Sequence, residues 1–436
     1  MEPKPRSPTQ TNIPLTMKAQ LLKAYNTRYE LHTLETPLLS AASDPHDMLI
    51  KVTAASYCHT DHVLASGGMP GLPPRFPHIG CHEFAGEIVA LSPASTPDTI
   101  KYKVGDRVGV PGRAFHPCGK CFECSSSSSG SSSNSSAFAT KEQDPPGYSV
   151  YCPHALNLGI SSPGGFREYA IVDSRQVALI PEEISDIQAS AMMCAGLTIY
   201  AALKKCISAC RPNSSLDGAK DLYIGIIGCG GGLGHLGLQF AIAMGFKAIL
   251  GLDNSDGPLR LARHSAGQLA TIIEEGTDQD VTLEIIDARE YPSPENLAVS
   301  FNAKYVTRYR EPPASSNERN EVGLDAVIIL PESQKAFDYG VGLLKNHGKC
   351  IVVSFPKEGF HLSAQDLVFR DITVMGSLVG SNKLLKEMLD FAARKQVKAR
   401  IKTFPLEGLN DLVDEYHKAE GGKLVVDMKK KSATSN

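Results

Sequence analysis

The chain has no tryptophan among its 436 residues, so no pocket in it is walled by an indole. It carries no excess of charge: the formal net charge is -3, which gives nucleic acid or an anionic membrane nothing to bind. No apolar run approaches the roughly 18 residues that a membrane span requires. The N-terminal MEPKPRSPTQTNIPLTM lacks the apolar stretch of a secretory signal and the arginine-rich amphipathic pattern of a transit peptide. It reads as a flexible tail, and the cytosol is the expected compartment. No repeat of solenoid length is visible. What remains is an ordinary globular composition, 42% hydrophobic and 21% charged, long enough for two cores.

The first half consists of short β-like runs punctuated by glycine and proline: DMLIKVTAASY, HEFAGEIVAL, VGDRVGV, FREYAIV. Short strands at regular spacing predict an all-β or barrel-like unit. The second half changes character. YIGIIGCG ends an apolar run in glycines, LGHLGLQFAIAMG follows with helical spacing, and KAILGLD is a second apolar run. Strand, glycine turn, helix and strand make a βαβ unit. DAVIIL, KCIVVSF and DITVMGSLV read as further strands of the same parallel sheet, with SQKAFDYGVGLL helical between them. Residues 125–136, SSSSSGSSSNSS, form a flexible low-complexity insert that is expected to be mobile and dispensable. Residues 291–320 show no clear periodicity and are read as a surface insertion.

The chain has 11 cysteines, and their clustering points to metal rather than disulfides. HPCGKCFEC places Cys118, Cys121 and Cys124 two residues apart from one another, and Cys152 follows in YCPH. C-x-x-C spacing lets a loop wrap thiolates around one zinc, and four cysteines close a structural site. The 27 residues 125–151 separate Cys152 from the others, which leaves His116 and His154 as alternative fourth ligands. Loop length alone does not forbid the closure. A nucleic-acid zinc ribbon is the competing reading, and the lack of basic clusters argues against it. Elsewhere Cys58 begins CHTDH, His82 and Glu83 lie in GCHEFAG, and Cys194 lies in MMCAGLT. Cys₂His is a catalytic zinc set that leaves a coordination position open, although each cysteine taken singly reads as well as a buried small hydrophobe.

These words, in this order and followed by a glycine-rich βαβ unit, resemble the zinc-containing medium-chain alcohol dehydrogenases, and among them the yeast-type branch. The resemblance covers roughly residues 18–430. It implies that Cys58, His82 and Cys194 hold the catalytic zinc. Glu83 is the neighbouring carboxylate that approaches the metal in an alternative coordination. Asp61 orients the zinc histidine, and Thr60 takes the alcohol proton. Bound there, zinc acts as a Lewis acid that lowers the pKa of the alcohol, and the hydride passes to a nicotinamide ring. The four clustered cysteines resemble the family's structural-zinc lobe.

In the same resemblance GCGGGLG is the dinucleotide turn, with Gly228, Gly231, Gly232, Leu233 and Gly234 at the cofactor. Asp253, 25 positions after Gly228, selects NAD over NADP, with Arg260 close enough to oppose it. His59 contacts the cofactor phosphates. Ser377 and Val379 lie on the nicotinamide side, and Lys423 stands near the pyrophosphate where arginine is usual. Two departures stand out. Cys81 replaces a glycine and brings a third thiol beside the metal. Val63 occupies the relay histidine's position, with His62 one place earlier, so the proton relay through solvent is open.

The implied fold is α/β: a Rossmann doubly wound parallel sheet inserted in a β-barrel-like, GroES-like catalytic domain. The expected borders are 18–190 for the first catalytic part with a lobe at 113–155, 191–377 for the NAD-binding unit, and 378–436 for the returning segment. The implied ligands are two zinc ions, NAD and a small alcohol or aldehyde, in a homo-oligomer, dimer or tetramer. A zinc-free reductase on the same fold would lack the Cys, His, Cys set. A silent NAD- and zinc-binding regulator would show no turnover with any primary alcohol. Met69 aligns with a wall position where the yeast-type branch has tryptophan, so longer or aromatic alcohols are expected to be preferred to ethanol unless Phe115 or Leu72 refills the space.

Overall fold

The computed structural model describes residues 13–126, 144–212, 216–276, 281–305 and 322–431. Most of the serine-rich insert lies outside this set; of it, only Ser125 and Ser126 are described, and both belong to a short helix.

The N-terminal half is built on antiparallel strands. β1 (Thr16–Leu21) pairs with β2 (Glu30–Glu35). β3 (Asp47–Tyr57), α1 (His59–Ala65), β4 (Glu83–Leu91), β5 (Arg107–Pro111), α2 (Phe122–Ser126), β6 (Tyr169–Asp173) and β7 (Ala178–Leu179) follow. β3 carries apolar residues at successive positions and is buried along nearly its whole length, because it has partners on both edges. Register shifts at Leu49/Ile50 and Val52/Ala54 mark bulges that bend it against β4, as a closing sheet requires.

α3 (Asp186–Ala191) continues through a π-helical turn, Met192–Gly196, into α4 (Leu197–Cys210). The whole stretch Asp186–Cys210 is long and apolar enough to cross a bilayer, contrary to the reading of the sequence. Its most apolar window is 67% buried inside the fold, as befits the core helix of a globular domain.

Alternation then sets in: β8 (Tyr223–Ile227), α5 (Gly234–Met244), β9 (Ala248–Asp253), α6 (Asp256–Gly276), β10 (Thr282–Asp287), α7 (Pro294–Tyr305), β11 (Leu324–Ile329), α8 (Gln334–Gly342), β12 (Leu344–Val352), α9 (Ala364–Phe369) and β13 (Thr373–Gly376). All six strands are parallel, in the order β10-β9-β8-β11-β12-β13. The order reverses direction between β8 and β11. In a doubly wound sheet that reversal opens a crevice at the strand C-termini, where ligands bind.

α10 (Asn382–Lys395), β14 (Ile401–Phe404), α11 (Leu409–Tyr416) and β15 (Lys423–Asp427) complete the chain. β15 lies antiparallel to β3, so the seven-stranded sheet reads β14-β15-β3-β4-β5-β7, with β6 also on β3. The chain therefore returns to the sheet it began. The architecture is a GroES-like barrel carrying a Rossmann sheet.

Residues 291–320 were expected to be a surface insertion, and the structure corrects this for the part it describes. α7 occupies Pro294–Tyr305 and buries Leu297, Ala298 and Phe301 against the sheet. Its mixed sequence, PENLAVSFNAKY, shows three apolar contacts without a clean stripe. Residues 306–321 lie outside the described set. The packing predicts a definite cost: Phe301, 2% exposed and in edge contact with Tyr223, should lower stability by about 3–5 kcal/mol when replaced by alanine. Chemical denaturation of Phe301→Ala measures it, and a loss below about 1 kcal/mol would return the helix to the surface.

Candidate active site

α1 begins directly after β3, and its first turn is tied by one side chain. Asp61, 1% exposed, accepts the backbone N–H of Cys58 at 2.9 Å through Oδ2. Its Oδ1 accepts the N–H of Cys81 at 3.0 Å and lies 3.3 Å from His82 Nδ1. The sequence folds this way locally because aspartate at the third helical position can reach back to the residue before the helix. The same carboxylate fixes the imidazole. With Nδ1 donating to Asp61, the lone pair of Nε2 points the other way, and Nε2 is buried with no partner among the described residues.

Cys194 comes from the π-helical turn, a distortion frequent at functional sites. It sets Cys194 Sγ 4.0 Å from Cys58 Sγ, and the ligand atoms of Cys58, His82 and Cys194 all lie within 4.8 Å of one another. Two thiolates on one tetrahedral zinc stand about 3.8 Å apart, given zinc–sulfur bonds of about 2.3 Å. The orphaned Nε2 and the sulfur separation both fit the metal.

The hydrogen bond with Cys194, with Lys423 and His82 adding their charge, holds the Cys58 thiol well below its ordinary pKa despite burial. Cys194 is pushed up by that same bond and by burial. Burial works against a charged His82, but the Asp61 carboxylate and Cys58 overcome it and raise its pKa.

Glu83, implied as an alternative ligand, stands instead in a fully buried ion pair with Lys423 Nζ, which also donates to Tyr57 O at 3.2 Å. Burial pushes Glu83 up to about 7 against the opposing charge of Lys423. The Lys423 ammonium is desolvated too, yet Glu83 and Cys58 hold it charged. The charge implied for the pyrophosphate is thus committed to Glu83, and only the lysine stem runs beside the glycine turn.

Cys81 does not join the metal ligands. Its backbone is left-handed, φ 78°, a conformation at home in glycine, and this turns the thiol away. Sγ donates to Ser56 O at 3.4 Å and Glu83 O at 3.3 Å, fully buried, and burial holds the thiol well above its usual pKa. The expected third thiol at the metal is therefore an inert one behind it.

The second ligand set is complete. Cys118, Cys121, Cys124 and Cys152 bring their sulfurs within 4.8 Å of one another. Backbone N–H groups of Cys118 and Cys121 point at the sulfurs of Cys152 and Cys118, at 3.4 and 3.3 Å, the arrangement that stabilises thiolates in a metal loop. His116 is unavailable as a substitute, since its Nε2 lies 2.6 Å from Asp47.

A cleft of about 900 Å³ runs from Cys58 and His59 to Gly231, Gly232 and Leu233, with Arg400 and Tyr416 on its far wall. The glycine turn is a steric necessity at its ends: a Cβ on Gly234 would stand 2.1 Å from Gly228 O, and one on Gly230 would stand 1.9 Å from Pro258 O. A Cβ on Gly231 or Gly232 would come no nearer to a neighbour than ordinary contact, 3.6 Å from Gly228 O and 3.4 Å from Gly422 O respectively, and both residues line the cleft at the start of α5. Asp253 ends β9, and its carboxylate accepts the N–H of Gly230 at 3.1 Å and of Asn254 at 2.9 Å. Arg260, the feared competitor, is bonded to Glu420 at 2.8 Å.

Ser377 follows β13 and donates its N–H to Val352 O at 2.9 Å. Val379 is left-handed at φ 39°, a strained state for a β-branched residue. His59 reaches Tyr416 OH at 2.6 Å, and His62 packs on Tyr416 and His417 in the same cleft. Thr60 is partly exposed in the first turn of α1. The sequence reading missed His235, Tyr416 and the pair Gly421–Gly422. GGK was visible, but only its lysine was used.

A barrel that presents thiolate and imidazole ligands to a Rossmann crevice defines a two-domain zinc-binding dehydrogenase. Residues 44–182 match the model of the alcohol dehydrogenase GroES-like domain, and residues 232–394 match that of the zinc-binding dehydrogenases. The chain is 29% identical to an alcohol dehydrogenase of Geobacillus stearothermophilus, covering 95% of this chain and 99% of that one. It is 31% identical to alcohol dehydrogenase 1 of Neurospora crassa, covering 87% and 88%. Its fold matches acetophenone reductase from Geotrichum candidum, solved with NAD, at a TM-score of 0.66 and 21% identity over 95% and 98% of the two chains. The chain belongs to the zinc-type medium-chain alcohol dehydrogenase family, and alcohol oxidoreduction is its chemistry.

Asp61 gives this site its sharpest test. Asp61→Asn keeps the shape but removes the charge that holds three groups, and metal affinity at the Cys58 set should fall about 10- to 100-fold. Chelator competition reads this directly, and unchanged affinity would show that the histidine needs no such anchor.

Proposed function

We propose that this alcohol dehydrogenase is NAD-linked and holds two zinc ions per chain. The observation that carries the reading is one cleft lined both by Cys58 and by Gly231 and Gly232 of the glycine turn. Cys58, His82 and Cys194 would hold the catalytic ion, and Cys118, Cys121, Cys124 and Cys152 the structural one. When bound, zinc supplies Lewis acidity toward a substrate oxygen, and NAD supplies the hydride acceptor.

The chain's own residues supply the rest. Asp61 keeps His82 in the tautomer whose Nε2 faces the metal position. Thr60, two residues from Cys58, takes the alcohol proton and passes it to water in the cleft. Lys423 neutralises Glu83 and so keeps a second carboxylate charge off the site. Asp253 stands where ribose hydroxyls are bound, and an added phosphate there would meet its charge. Arg260 is paired at the surface with Glu420.

The test is NADH production across aliphatic, branched and aromatic alcohols, with zinc measured on the same sample. If Met69 replaces a wall tryptophan, as the resemblance implies, kcat/KM should favour longer or aromatic alcohols, each added buried methylene contributing up to about 0.8 kcal/mol. Ethanol as the best substrate would sink that part. Cys58→Ser should abolish turnover with the fold retained, whereas Cys121→Ser should lower Tm. Protein with no zinc at either place would leave a zinc-free reductase.

Cofactor choice is tested separately. Wild type should prefer NAD, and Asp253→Ser should relax the preference by removing both the hydroxyl acceptor and the repulsive charge. A wild type that used NADP better would overturn the assignment.

A further inference from the structure

His235 lies in the first turn of α5 and is fully buried. Its Nδ1 is 2.9 Å from Gly231 O, inside the glycine turn. Its Nε2 is 3.1 Å from the backbone N of Arg400, in the returning segment 165 residues away. A backbone N–H can only donate, so Nε2 is the acceptor and the ring proton sits on Nδ1, directed at the Gly231 carbonyl. Burial holds this imidazole neutral, with its pKa lowered to about 4. Both nitrogens are spent, and the ring has no lone pair or proton left for chemistry. Its role is geometric.

What the ring joins is informative. Arg400 O accepts the N–H of Lys423 at 2.8 Å, and Lys423 in turn holds Glu83 behind the zinc ligands. A continuous path of hydrogen bonds thus runs from Gly231 through His235, Arg400 and Lys423 to Glu83. The two walls also touch directly: a Cβ on Gly421 would stand 2.5 Å from Gly230 O, and one on Gly232 would stand 3.4 Å from Gly422 O. The segment before β14 is otherwise held by two glutamines. Gln239, one turn further along α5, donates to Lys398 O at 2.9 Å and accepts from its N–H at 3.0 Å. Gln188 does the same for Ala399, at 3.0 and 2.8 Å. Residues 398 and 399 therefore stay anchored without His235, which holds the amide of Arg400 while Lys423 holds its carbonyl.

We propose that His235 is a positioning residue for the dinucleotide: it latches the glycine turn to the returning segment, so that the backbone of Gly231 and Gly232, which lines the cleft, is held in register with the opposite wall. This rests on the reading of that turn as the NAD site.

The test is a titration of NADH fluorescence with wild type, His235→Ala, His235→Asn and His235→Gln. An asparagine amide nitrogen can take the place of Nδ1, and a glutamine carbonyl that of Nε2, so each variant keeps one bond and loses the other. In all three variants Kd for NADH should rise about five- to tenfold, the effect of one hydrogen bond lost from a bound state, with KM for NAD rising in step. The value of kcat should stay within about twofold, and zinc content and Tm near wild type, because Gln239 and Gln188 still hold the segment. A latch fails when either end is cut, so the asparagine and glutamine variants should match alanine rather than wild type. NADH binding within about twofold of wild type in any of the three would overturn the latch, whatever happened to Tm. Should the alanine variant not fold, the other two decide. Wild type that itself failed to bind NADH would overturn the dinucleotide reading together with this one.

Discussion

The buried carboxylate of Asp61 is the constraint on which the metal site depends. It answers the amide of Cys58, the amide of Cys81 and the ring of His82 at once, so it holds the start of α1, the turn before β4 and one metal ligand in a single arrangement. A buried charge is costly unless it is fully hydrogen-bonded, and here each donor is also one that the site needs fixed. The ligand Cys58 is thereby positioned through its own backbone, while Cys194 is positioned by a defect in a helix that is otherwise part of the core. One ligand is held by electrostatics and the other by packing, and the third rides on the first.

Behind this layer sits a second pair of charges, Glu83 and Lys423, both excluded from water. Breaking such a pair is more damaging than its net strength implies, since the survivor is left buried and unpaired. Its location ties β15 to β4 across β3 at the level of the metal. The barrel, the Cys58–His82–Cys194 group and the cleft are therefore joined through one buried pair, which links the C-terminal strand to the strand that follows His82.

Much of this was legible in the sequence where the signal was local. The spacing of Cys118, Cys121 and Cys124 needs only a loop to become a site, and the apolar run of β8 ending in glycines needs only its own turn. The parallel sheet followed from the alternation of apolar runs with helical stretches. β10 and α7 were not legible, because TLEIID mixes charge into a partly covered strand and PENLAVSFNAKY buries only a few positions. The direction of the Cys81 thiol depends on one dihedral angle that composition does not encode. The partner of Lys423 lies 340 residues away, and one of the two bonds of His235 spans 165, distances at which sequence pattern carries no information. A charge near the cofactor was the natural reading of Lys423. The structure adds that a buried carboxylate claims that charge first.

The pairing of β15 with β3 has a consequence for synthesis. Tyr57 and Lys423 are neighbours although 366 residues separate them, so when β3 leaves the ribosome its eventual partner has not yet been made. The Rossmann unit, in which even the widest pairing, β8 with β11, spans far fewer residues than β3 with β15, emerges whole in the meantime and can fold first. Until the last strand arrives, β3 keeps part of one edge open, an apolar template for pairing with other chains. Lys423 is made 340 residues after Glu83, so the ion pair behind Cys58, His82 and Cys194 forms only after the whole Rossmann sheet has been synthesised.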